Sequence, residues 1–185
     1  MKKNTILLAA LIITGIMGTT YAQTWNTYTT GNGLPDNQIR CITTASNGTV
    51  WIGTKTKGVF GYNGSSFISF SKNSSLPQTG GSHYEITAIG AYDGKLYIAV
   101  KTNALLGGLY VYDFLTDAIT WIGTFEIVGG SDINTFYKAT NSQIYAGSGT
   151  GFFKRIADNN WTRIGGGWCR SIAENSQGLL YYTTF

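Results

Sequence analysis

The side chains with chemistry to offer gather in four polar segments: Gly31 to Gln38, Lys72 to Glu85, Phe125 to Asp132 and Gly165 to Trp168. These segments hold Asp36, Asn37, His83, Glu85 and Asp132, with Tyr84 and Trp168 as aromatic faces; Arg40 and Arg170 follow within a few residues. Aromatic faces beside hydrogen-bonding and charged groups are what a sugar-binding site uses. Each residue also has a structural reading: Asp36 and Asn37 suit turn backbone groups, and Glu85 and Asp132 stand where strands begin. Glu85 and Asp132 are the one carboxylate pair to weigh for glycoside hydrolysis, which needs a separation of about 5–10 Å. Neither lies in a catalytic motif, and His83 has no Ser or Cys nucleophile beside it. The chain is therefore expected not to be an enzyme.

Other constellations fail on spacing. "GSGTG", residues 147–151, follows an apolar strand but leads into "FFKRI", another strand, so the helix N-terminus that would hold phosphate is missing. One His and two Cys at no ligand spacing offer no metal site, and nothing points to a cofactor. Cys41 and Cys169 are 128 residues apart and read as small hydrophobes on inner strands; a bridge would require Cα atoms within about 7 Å.

The elements that must position these groups come from an internal repeat. "IRCITTASNGTVWIGTKTKGVFGYNGSSFISF" begins at Ile39, "ITAIGAYDGKLYIAV" at Ile86, "INTFYKATNSQIYAGS" at Ile133 and "CRSIAENSQGLLYYTTF" at Cys169. The four anchors are 47, 47 and 36 residues apart. A period in the forties with short apolar strands predicts an all-β fold, a β-propeller of four-stranded antiparallel blades. The strands are apolar on both faces because each blade lies between two others. Asn47-Gly48, Asn63-Gly64 and Asp93-Gly94 are dipeptides that accept positive φ and predict two-residue hairpins. Trp51, Trp121, Trp161 and the tyrosines Tyr97, Tyr145 and Tyr181 read as blade-to-blade packing.

The blades are expected at 38–72, 85–123 and 132–165, with a partial blade at 168–185, about three and a half blades of an incomplete ring. Residues 24–30, "TWNTYTT", resemble the outer strands of the later copies and are expected to be an outer strand supplied from the N-terminal side. Open blade edges invite an oligomer.

Residues 1–22 read as a signal peptide: Lys2 and Lys3, an apolar run from Ile6 to Met17, then Thr20-Tyr21-Ala22. That run is too short to span a bilayer. The mature region, 23–185, is expected to be exported, periplasmic or at the cell surface, without membrane insertion of its own. Two of the 13 basic residues lie in the leader, leaving 11 against 9 acidic ones with no basic cluster, which argues against nucleic acid.

"GNGLPDNQI", "NGTVWIGTKTKGVFGYNGSSF" and "SSLP" together resemble the two-component regulator propeller repeat of exported Bacteroidetes-type proteins. The first copy carries the likeness in Gly33-Leu34-Pro35, Asn37, Gly48, Trp51-Ile52-Gly53-Thr54, Gly58-Val59, Gly64 and Phe67; later copies lose the Trp and Thr of the central motif. The resemblance implies a larger propeller, of which some members are periplasmic sensor regions of hybrid histidine kinases responding to glycans. Others are secreted proteins with a C-terminal sorting domain, for which a protein-interaction platform is the alternative role.

Overall fold

The structure, a computed structural model, describes residues 25–79, 81–101, 107–123 and 132–184. The leader at 1–22 and most of the third polar segment, 125–131, lie outside the described residues. Blade one comprises β1 (Ile39–Thr44), β2 (Val50–Thr54), β3 (Val59–Tyr62) and β4 (Phe67–Ser69). A small hairpin, β5 (Gln78–Thr79) and β6 (Ser82–His83), leads into blade two: β7 (Ile86–Tyr92), β8 (Lys95–Val100), β9 (Gly108–Asp113) and β10 (Ala118–Gly123). Blade three is β11 (Ile133–Lys138), β12 (Ile144–Ser148), β13 (Gly151–Ala157) and β14 (Asn160–Gly166); β15 (Ile172–Glu174) and β16 (Leu180–Tyr182) form a two-stranded fourth sheet. Strands pair in sequence order and antiparallel within each sheet. The innermost strands β1, β7, β11 and β15 pack side by side, which is propeller architecture.

The core lies between blades, not within them. One apolar cluster joins blades one and two through Val59, Phe70, Ile86, Ile89, Leu96 and Ile98. A second joins blades two and three through Tyr97, Ala99, Ile133, Phe136 and Trp161, and a third joins blade three to the last sheet through Tyr145, Phe152, Cys169 and Ile172. This explains the non-alternating strands: β8 and β9 are sandwiched and buried along nearly their whole length. Tyr97 and Tyr145 are buried as expected of packing residues, whereas Tyr181 is exposed, because among the described residues no blade covers the far face of β16.

Two local expectations change. Of the three dipeptides singled out, only Asp93-Gly94 closes a two-residue hairpin, with φ of 52° and 73°. Asn47 and Asn63 sit in longer loops, where their side-chain oxygens accept the backbone N–H groups of Thr49, and of Ser65 and Ser66. That side-chain bond substitutes for a backbone turn bond and favours the wider loop. The outer strand expected at 24–30 is not formed at 25–30. A strand needs a ladder partner; here the segment passes into a short 3-10 turn at Thr30–Asn32, and Tyr28 packs on Tyr62 and Phe67, each with ring centroids 5.3 Å away.

Adjacent blades are also tied through their turns. Lys72 pairs with Asp117, Asp93 with Lys138, and Asp158 with Lys95 across the blades, while Arg155 of its own blade also holds Asp158. Glu174 accepts from the backbone and hydroxyl of Thr140 and from Tyr137. Burial opposes ionisation of Asp158, but hydrogen bonds from Lys95 and Arg155 outweigh it and hold its carboxyl below the usual range. Glu174 is lowered by the Thr140 N–H, and Asp117 by Lys72 and Tyr112. Depressed carboxylates stabilise the fold fully above their unfolded pKa of about 4 and lose that contribution as pH falls through the lower folded values. The melting temperature is therefore expected to hold from neutral pH to about pH 5 and to drop below about pH 4. Asp158→Asn should lower it at neutral pH and flatten the acid limb, measurable by circular dichroism melts across pH.

Candidate functional site

The innermost strands begin with the same irregularity. In β1, β7 and β11 the register slips between Ile39 and Cys41, Ile86 and Ala88, and Ile133 and Thr135. The extra residue of each bulge is Arg40, Thr87 and Asn134, and a bulge re-aims the side chain it carries. Just upstream, one backbone bond repeats: the N–H after each second strand donates to the carbonyl before each anchor. The three instances are Lys55 to Gln38 at 3.0 Å, Lys101 to Glu85 at 2.9 Å and Gly149 to Asp132 at 3.2 Å. The repeat thus builds one rim from the strand entrances.

Across the rim, blades are linked by polar side chains. Arg40 Nε lies 2.8 Å from Glu85 Oε1, and Lys101 Nζ is 3.3 Å from Glu85 Oε2. With both oxygens engaged by cations, Glu85 is a clamp between blades one and two. Asn134 Nδ2 donates to the Cys169 carbonyl at 3.0 Å, joining blade three to the last sheet. Beyond it, the Arg170 guanidinium stacks over the Trp168 ring 4.5 Å from its centroid, and both side chains are exposed. An exposed indole with a cation on one face is a recognition element of the kind sugars and other flat ligands use.

The remaining candidates serve the loops. Asp36 is buried; one oxygen accepts the Gln38 N–H at 2.8 Å and the other accepts Thr56 Oγ1 at 3.0 Å. Asn37 is held to Thr30 through that residue's N–H and hydroxyl. Tyr84 packs inward against the cluster between blades one and two rather than offering a free face. His83 donates its backbone N–H to Thr56 O at 2.9 Å, and its ring Nδ1 is buried with no hydrogen bond among the described residues. Burial and the nearby Lys57 charge lower its pKa, so the neutral ring is favoured. Asp132 stands at the strand entrance of blade three, its carbonyl bound by Gly149. The arrangement therefore groups Arg40 with Glu85, and Trp168 with Arg170, while Asp36, Asn37 and Tyr84 support the scaffold.

Lys55, Lys57 and Lys101 belong to the same rim and were missed from the sequence. The signal was present: "GTKTKG" and "AVKTN" place Lys55 and Lys101 at the same step after the second strand of successive copies. Both thiols are free; burial pushes Cys41 up to about 12 and also raises Cys169, so neither is a nucleophile. Among the described residues no three His, Cys, Asp or Glu side chains gather as a metal site, and no helix is long and apolar enough to cross a membrane.

Three four-stranded sheets and a fourth partial one, packed face to face around their innermost strands, define a β-propeller segment. The chain carries a two component regulator propeller repeat: residues 33–56 match that family. Among curated proteins none matches the chain. Among solved structures it is similar to the extracellular domain of the hybrid two component system BT3049 from B. thetaiotaomicron, at 23% identity and a TM-score of 0.65, covering 82% of this chain and 20% of that one. It is also similar to the extracellular domain of the one component system BT4673 from the same organism, at 18% identity and a TM-score of 0.64, covering 85% of this chain and 22% of that one. At these identities the likeness is one of fold, and the chain spans about a fifth of the length of those structures.

Proposed function

We propose that this chain is an exported, nonenzymatic propeller segment that binds an extracellular ligand for a sensor, and that the ligand is a glycan. The observation that carries the reading is the rim. A bulge repeated at the same step of three blades aims polar side chains around the strand entrances, and the exposed Trp168–Arg170 pair adds an aromatic face. The fold likeness to extracellular domains of two component and one component systems supports a sensing context. Glu85, with both oxygens engaged by Arg40 and Lys101, supports a positioning role rather than acid–base work.

Calorimetric titration of the purified chain with a panel of neutral and charged oligosaccharides tests this. At least one sugar should bind without being consumed, and Trp168→Ala should weaken it about tenfold by removing the stacking face. Turnover of any sugar, lost in Glu85→Gln, would overturn the nonenzymatic reading; binding unchanged in Trp168→Ala would overturn the assignment of the rim.

A further inference from the structure

Charge is segregated along the strands. Asp93, Asp113, Asp117, Asp158 and Glu174 all lie in or beside the turns between first and second or third and fourth strands, where each has the partners already described or local backbone donors. At the rim of blades one and two the balance is reversed. Among the described residues of these two blades, Arg40, Lys55, Lys57 and Lys101 share a single accessible carboxylate, Glu85, because Asp36 is buried and spent on its own loop. Lys55 and Lys57 are exposed and make no ion pair among the described residues.

The loop bearing those two lysines is unusually well fixed for an exposed connection. Thr54 Oγ1 donates to the Gly58 carbonyl at 2.8 Å and accepts the Lys57 N–H at 3.0 Å. Thr56 is gripped by Asp36 on one side and by the His83 N–H on the other, and Gly58 adopts a φ of 80° against Asn73. Solvated lysines kept only for solubility need no such fixing. Elsewhere in blades one to three, Lys72, Lys95 and Lys138 each face a carboxylate of a neighbouring blade's turn and Arg155 one of its own hairpin, while Lys154 and Arg163 on blade three make no ion pair among the described residues. Lys55 and Lys101 occupy the same place in successive blades, Arg40 projects from the β1 bulge to the carboxylate that Lys101 also holds, and Lys57 follows two residues after Lys55.

We propose that this sector of the rim binds an anionic group, the carboxylate or sulfate of an acidic sugar, between the lysine-bearing ends of β2 and β8. The proposal rests on the ligand-binding reading above and adds the ligand's charge to it. Fixed donors around an unfilled charge deficit recognise an anion at little ordering cost, and their attraction is screened by salt.

The test is calorimetric titration of the chain with three oligomers: a short oligogalacturonate, the same oligomer fully methyl-esterified, and a sulfated galactan oligomer without carboxylates. At least one anionic oligomer should bind about tenfold or more tightly than the ester, and raised salt should weaken it several-fold. Which of the two binds identifies carboxylate or sulfate as the group read. The double variant Lys55→Gln/Lys57→Gln should lose about tenfold in that affinity with its melting temperature unchanged, since neither side chain is packed. Equal binding of the ester, or full affinity in the double variant, overturns the anionic assignment. If none of these oligomers binds while neutral sugars of the wider panel do, the anionic inference falls alone. If no sugar of either set binds, the ligand-binding reading falls with it.

Discussion

Gly53→Ala is expected to destabilise the protein by about 1–3 kcal/mol, and adding Cys41→Ala to the same chain to restore most of that loss. A Cβ on Gly53 would stand 2.4 Å from Cys41 Sγ and 2.6 Å from Ile86 Cγ2, at the interface of blades one and two. The same position in blade two is Ala99, buried and paired with Ala88, and it packs in one cluster with the next anchor, Ile133. Blade three returns to the first solution, with Gly147 paired to Thr135 and close to Cys169. The molecule thus uses glycine where the first-strand neighbour is Cys or Thr, and alanine where that neighbour is alanine, so the volume of the pair is held roughly constant. The double variant recreates the Ala–Ala–Ile trio of blade two in blade one. Denaturant midpoints of wild type, both single variants and the double variant close the cycle; strictly additive losses would show that the pair does not share one space. For a chain of this size about 1 kcal/mol corresponds to about 2–4 °C in melting temperature, so the effect is readily resolved.

That compensation indicates what a reading of the sequence could reach. Blade spacing was legible because Ile39, Ile86, Ile133 and Cys169 recur with the strand and turn pattern around them, and inter-blade packing demands such recurrence. Turn geometry was legible at Asp93-Gly94 but not at Asn47 and Asn63, where a side-chain oxygen competes for the backbone donors and selects a wider loop. The bulges at Arg40, Thr87 and Asn134 have no compositional mark, since a register slip belongs to a pair of strands rather than to one segment. At the candidate site, polarity located the rim but not the division of labour within it. Asp36 and Arg40 stand only four residues apart, yet burial makes the first a loop brace and the bulge makes the second an inter-blade clamp.

Ile89→Ala is expected to cost about 2–5 kcal/mol, whereas Ile42→Ala, at the equivalent step of blade one, should fall within about 0.5 kcal/mol of wild type. The two isoleucines share a residue type, a strand and a register: Ile42 pairs with Ile52 in β1–β2, and Ile89 with Ile98 in β7–β8. They differ in what lies on their outer face. Ile89 is 6% exposed against blade one, while Ile42 is 64% exposed on a face where Tyr28, from the N-terminal segment, gives only partial cover. If the fold is stabilised by burial between blades rather than by strand propensity, the cost must follow the neighbour and not the residue. Denaturant unfolding of both variants at low protein concentration measures it. An Ile42→Ala cost equal to that of Ile89→Ala would mean that the blade-one face is covered in solution, and a cost growing with protein concentration would identify the cover as a second copy of the chain. With the expected inequality, Ile39 and Ile42 form a blade face that repeats the buried ones beside it in every respect except its neighbour, so burial against an adjacent blade is what turns this sequence repeat into stability.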